Sequence, residues 1–169
     1  MKILDRLPFG EEQTDVPTPD GIEVVRPYQI IVWVSLAAHI VLRLPPGTPR
    51  FPAVLDTGNN HNFAIRHEQF ERWTHLALPR RGQVAFDGRV VPLFAAHLWI
   101  HPNAPGVSEP SEREPFRLSL EEGIAVYPSN VPNPARLPIL GLRGIVQNNL
   151  TLTINGRSRL LSLRAPGRS

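Results

Sequence analysis

Apolar residues in this chain come mostly in short β-branched and aromatic runs, broken by proline- and glycine-rich connections, which predicts strands rather than long helices. Residues 1–21 carry Glu11, Glu12, Asp15 and Asp20 without a hydrophobic period and predict a polar N-terminal arm. From Ile22 onward, Ile22, Val24 and Val25 and then residues 30–34 predict strands, and residues 39–44 continue in the same style. Three of the five residues in Pro45-Pro46-Gly47-Thr48-Pro49 lack an amide donor, so the chain must turn there and return along residues 51–55.

Residues 59–65 read as short and extended. Phe70, Trp73 and Ala77 recur at helical spacing and predict a short amphipathic helix over 67–77, ended by Pro79. The stretch 82–98 alternates around Asp87-Gly88, a two-residue turn signal, and predicts a hairpin with Val84, Phe86, Val90 and Val91 in its arms. Four prolines in 102–115 predict a solvated loop insertion. Residues 116–120 and 124–127 predict further strands, and 150–163 a C-terminal hairpin around Asn155-Gly156. The class is therefore all-β, mainly strand with one or two short helices, as a single domain over 22–169 behind the arm.

Composition agrees with this class. A chain of 169 residues with 41% hydrophobic content suits one core. Its 19 prolines exceed twice the usual share of about 5%, and helix interiors tolerate proline poorly. With no cysteine, disulfides, thiolate zinc sites and a thiol nucleophile are excluded. The first eight residues lack the apolar run of a signal peptide, and the stretch 30–44 holds Ser35, His39 and Arg43 and falls short of a membrane span, so a cytoplasmic protein with no membrane partner is expected. A net charge of +3 does not by itself imply nucleic acid.

The candidate chemistry begins at Phe51-Pro52-Ala53-Val54-Leu55-Asp56-Thr57-Gly58, where an apolar strand leads straight into a carboxylate and a glycine follows in the tight loop that exposes it. Far downstream, Ile139, Leu140 and Gly141 place two large apolar residues before a glycine. In order and type these two elements resemble the retropepsin-like aspartic proteases, over roughly residues 30–154. The resemblance implies an acid-protease barrel with one catalytic loop per chain, in which the downstream strand threads past the loop and its glycine permits close packing.

That chemistry needs two carboxylates sharing one proton, the ionised one activating water and the protonated one polarising the peptide carbonyl. Of the five aspartates, Asp5, Asp15 and Asp20 fall in the arm and Asp87 in a turn, which leaves Asp56 without an internal partner. The dyad is therefore expected between two copies, in a homodimeric endopeptidase acting on a peptide or protein substrate without a cofactor. By resemblance Thr57 braces the two loops, Gly58 allows the conformation that presents the acids, and the hairpin near 82–91 is the flap. Asn59, Asn60, Val84, Phe86 and Gly88 are then the expected substrate contacts.

Two features depart from the family pattern. The usual alanine and acidic residue after the loop glycine are Asn59 and Asn60, and Leu142 stands where the family places an arginine, with Arg143 one position later. The alternative function is a catalytically weak or inactive peptide-binding module on the same fold. A basic β-barrel that binds RNA is a more distant one. The histidines form no zinc motif, His67-Glu68-Gln69-Phe70-Glu71 lacking the second histidine, so no metal is expected. His97 and His101 read as surface or turn residues. Arg157, Arg159, Arg164 and Arg168 form a basic tail whose first reading is a solvated face.

Overall fold

The β-branched runs pair as strands, and the resulting sheets bury the large aliphatic and aromatic side chains between them. A computed structural model describes residues 1–167, so Arg168 of the basic tail lies outside the described residues. In chain order the elements are β1 (Lys2–Pro8), β2 (Thr14–Thr18), β3 (Gly21–Val25), β4 (Ile30–Ala38), β5 (Phe51–Asp56), β6 (Phe63–Arg66) and helix α1 (His67–Thr74). There follow β7 (Arg80–Phe86), β8 (Arg89–Phe94), β9 (Ala96–His101), β10 (Phe116–Ser119), β11 (Ile124–Tyr127), β12 (Ile139–Gly141), α2 (Leu142–Gln147), β13 (Thr151–Asn155) and β14 (Leu160–Arg164). The protein is mainly β with two short helices. Among the described residues no helix is long and apolar enough to cross a membrane.

Nine strands form one sheet in the order β10-β9-β4-β5-β12-β6-β11-β8-β7, beside a three-stranded sheet β1-β14-β13 and the β2-β3 hairpin. The large sheet ends at β10 and β7, so the barrel implied by resemblance does not close among the described residues. Both ends carry features that oppose further pairing. Asn148 occupies the free side of β10, accepting from Ser119 N at 2.9 Å and donating to Ser119 O at 2.8 Å, and β7 begins with exposed Arg80 and Arg81.

The expected N-terminal arm is corrected in its first part. Ile3, Leu4 and Leu7 are buried, and β1 pairs antiparallel with β14 through Leu4↔Leu163 and Leu7↔Leu161. Register shifts between Lys2 and Leu4 and between Leu4 and Leu7 break the two-residue period, which hides this strand from a periodicity reading. Residues 14–18 are also a strand, in a hairpin whose Val16 and Val25 are buried. The 102–115 insertion is partly structural too: the Asn103 amide accepts from Asp5 N at 2.9 Å and donates to Asp5 O at 3.0 Å, capping the outer edge of β1.

Three further expectations change. Residues 39–44 are a loop rather than a strand, because β4 runs out of partner at Ala38↔Ala96 and Val41 N turns back to Ala38 O. The helix ends at Thr74, before Ala77, where His75 adopts a left-handed φ of 53°. At the C-terminal hairpin pairing stops at Asn155↔Leu160, leaving a four-residue connection rather than an Asn-Gly turn. Asp87-Gly88 does form the two-residue turn, with φ of 48° and 70° between the paired Phe86 and Arg89.

His101 is not a surface residue. It lies half-buried in β9, where Ser35 Oγ gives its one proton to Pro49 O at 2.7 Å and so accepts from His101 Nε2 at 2.9 Å. Burial, helped by the Arg50 charge, lowers its pKa from 6.5 to about 4. At neutral pH the ring is uncharged in the folded chain and mostly uncharged in the unfolded one. As pH falls below 6.5 the unfolded chain takes up the proton first, so this site is expected to withdraw stability progressively down to about pH 4. Urea unfolding across that range should show the decline, and His101→Gln should flatten it. A variant with the unmodified pH slope would refute the assignment.

Candidate active site

The sheet order fixes where the Asp56 loop sits. Strand β5 delivers Asp56 at its C-terminal end, and residues 57–62 carry the chain to β6 without pairing the two strands directly. Strand β12 occupies the place between them, parallel to β5 through Ile139↔Val54 and Gly141↔Asp56 and antiparallel to β6 through Ile139↔Ala64. The two halves of the sequence pattern thus meet at one point. Gly141 lies opposite Asp56.

Local hydrogen bonds shape the loop. Gly58 N donates to Asp56 Oδ1 at 2.8 Å, Asn59 N to Asp56 O at 3.2 Å, and His61 N to Asn59 Oδ1 at 2.9 Å. Asn59 therefore acts first as a turn residue, its side chain bonding its own backbone two residues on. Below the loop, Gly141 N donates to Asn62 O at 3.1 Å. A Cβ on Gly141 would stand 2.0 Å from His61 O and 2.8 Å from Asn59 O, so the packing there requires glycine. The buried Asn62 amide, with its nitrogen toward Gln147, donates to Gln147 Oε1 at 2.9 Å and accepts from Glu121 N at 3.2 Å.

Two cavities flank this loop. The first, about 450 Å³, is lined by Asp56 together with Arg26, Gln29, Asn133 and Arg136. Arg136 is paired with Glu23 at 3.4 Å through Nη1, and Gln29 Oε1 accepts from Arg26 N at 2.8 Å, so Arg26, Arg136, Gln29 and Asn133 line the carboxylate's cavity with N–H donors still unused. The second, about 320 Å³, is apolar and is lined by Asn59, Phe86, Tyr127, Val131, Leu137 and Ile139. Residues 133–135, Leu137 and Ile139 border both cavities.

The β7–β8 hairpin reaches this region through Phe86, whose ring packs edge-on against Tyr127 at 5.7 Å and tilted against His61 at 6.3 Å. Arg89 also donates to Asn130 O, tying the hairpin to the 128–138 connection. Burial pushes the Tyr127 hydroxyl up from its ordinary value, and burial first, then the Arg143 charge, holds His61 below its ordinary value against the opposing pull of Glu122.

The expected site residues thus separate. Asp56, with exposed Thr57 and Gly58, stands at the strand end; Asn59 and Phe86 share the apolar cavity. Val84 packs instead against the small cluster around Val91 and Leu93, Gly88 forms the hairpin tip, and Asn60 is exposed on the loop. Arg143 pairs with Glu122, not with the Asp56 loop. Sequence reading missed Arg26, Gln29 and the 133–137 wall. The wall had a usable signal, since Pro132, Pro134 and Pro138 run straight into Ile139-Leu140-Gly141.

Chemically, Asp56 can accept a proton from water in a cavity open to solvent. One chain supplies one such carboxylate there, and among the described residues no cluster of acids, histidines or cysteines could hold a metal ion. Comparison with protein-family models, curated proteins and solved structures finds no match for this chain.

Proposed function

We propose that the protein is a retropepsin-like aspartic endopeptidase, active as a homodimer in which the Asp56 carboxylates of two copies share one proton across a two-fold axis. The observation that carries this reading is β12 running between β5 and β6 with Gly141 against the Asp56 loop. A carboxylate held at a strand end by a threading strand, open to a cavity on one side, is the half-site such a dyad needs. Substrate would lie extended across the loop, with Phe86 of the hairpin covering it as a flap and an apolar side chain in the cavity beside Asn59. Water activated by the dyad would attack the peptide carbonyl with no covalent intermediate.

The test is cleavage of a mixed peptide library by the purified chain, read by mass spectrometry at acidic to neutral pH, alongside sedimentation. Cleavage is expected, with a rate per chain that rises with protein concentration until the dimer saturates. A strict monomer that still cleaves would overturn the shared dyad, and a dimer that binds peptides without turnover would favour a binding module on this fold.

A further inference from the structure

A larger cavity lies away from the Asp56 loop. It is a groove of about 740 Å³ between the end of β1, the β2–β3 hairpin and β4, within the size range of about 300–1,000 Å³ in which ligands are held. Its floor is apolar, with Ile31 and Trp33 half-buried on β4 and Phe9 and Val16 beside them. Its walls are pinned: Phe9 N donates to Arg159 O at 3.1 Å and Tyr28 N to Gly10 O at 2.8 Å.

The rim has the opposite sign to the molecule. The chain carries 18 basic against 15 acidic residues, yet Glu11, Glu12, Asp15 and Glu109 border this groove. Glu11 is matched by Arg159 at 2.7 Å. Among the described residues Glu12, Asp15 and Glu109 form no ion pair, and the remaining lining cation, Arg26, is the residue that also faces the Asp56 cavity. The lining thus carries four acids against two arginines, which favours a cationic occupant over an anionic polymer.

We infer that this groove docks a lysine- or arginine-rich stretch of the polypeptide that is presented to Asp56. Lysine and arginine stems would lie on the apolar floor, and Trp33 would offer its face, while their heads reach the unpaired carboxylates. Arg26 and Gln29 line both this groove and the Asp56 cavity, so one extended chain can pass from docking site to reaction site. The link to cleavage rests on the peptidase reading. The docking itself does not.

The probes are two labelled peptides of equal length, alternating Lys-Leu and alternating Glu-Leu, titrated against the full Asp56→Asn chain by fluorescence anisotropy. The Lys-Leu peptide should bind and the Glu-Leu peptide should not, with affinity falling as salt rises. Reversing the exposed carboxylates together (Glu12→Lys, Asp15→Lys, Glu109→Lys) should weaken the Lys-Leu peptide by about tenfold or more. Neutral Glu12→Gln with Asp15→Asn, which adds no repulsion, should weaken it by a smaller factor. Equal binding of both peptides, or indifference to both sets of changes, overturns the inference. In the unmodified chain, adding a basic extension to a cleaved peptide should lower KM and leave kcat unchanged. Cleavage unaffected by the extension removes the docking site and keeps the peptidase. Binding of the Lys-Leu peptide, with no peptide ever cleaved, does the reverse.

Discussion

If the protein is the proposed peptidase, Asp56→Asn is expected to abolish peptide hydrolysis, lowering kcat/KM by more than about a thousandfold, because general acid–base catalysis alone supplies roughly 10²–10⁴ and both copies of the proposed dimer would lose it together. The amide cannot take a proton from water. It can still accept through Oδ1 from Gly58 N, the bond that measures 2.8 Å with the carboxylate, and the side chain is exposed, so stability should change by less than about 1 kcal/mol. Initial rates and thermal unfolding of the same preparations check both halves. Mixing adds a sharper version. If copies exchange freely, equal amounts of unmodified and Asp56→Asn chains should show about one quarter of the activity of the same total amount of unmodified chain, since one dimer in about four then has two carboxylates. Retention of about half would mean that each chain works alone, and an undiminished rate in the pure variant would remove Asp56 from the mechanism.

Why this residue was legible while its surroundings were not is a matter of range. The strand 51–56, the Asp-Thr-Gly loop and the Ile139-Leu140-Gly141 element are local patterns, and strand pairing brings them together with Gly141 opposite Asp56. Asp87-Gly88 was legible because two consecutive positive φ values suit those residues. Asn155-Gly156 carries the same signal and yields a longer connection, because Ser158 N instead takes Asn155 Oδ1 at 3.0 Å and pairing resumes only at Leu160. The first strand escaped notice because irregular register sets Ile3, Leu4 and Leu7 off any period of two. Arg26 and Gln29 carry no motif at all. They reach the site only through the path of the chain after β3, which no spacing encodes.

Gly141→Ala is expected to cost more than about 3 kcal/mol, at or beyond the upper end of the usual overpacking range of about 1–3 kcal/mol. The reason is what the new methyl would meet. His61 O at 2.0 Å and Asn59 O at 2.8 Å are backbone atoms, so no rotamer change relieves the clash and the 59–62 loop or β12 itself must move. Either movement breaks something already fixed. Lifting the loop loses Gly141 N to Asn62 O at 3.1 Å and disturbs the buried Asn62 amide, while displacing β12 disrupts its ladder to β5 at Asp56. For a domain of this size the loss corresponds to a melting point lower by roughly 6–12 °C. Gly82→Ala is the matched control: no atom lies within 4 Å of its Cβ, and its effect should stay within about 0.5 kcal/mol. Peptidase activity of Gly141→Ala, measured below its melting point, should fall with the loop's displacement, because Asp56 takes its orientation from a turn that rests on that glycine. A variant with control-like stability and an undiminished rate would show that the loop holds its shape without β12, and the threading strand would then lose its claim to position the carboxylate.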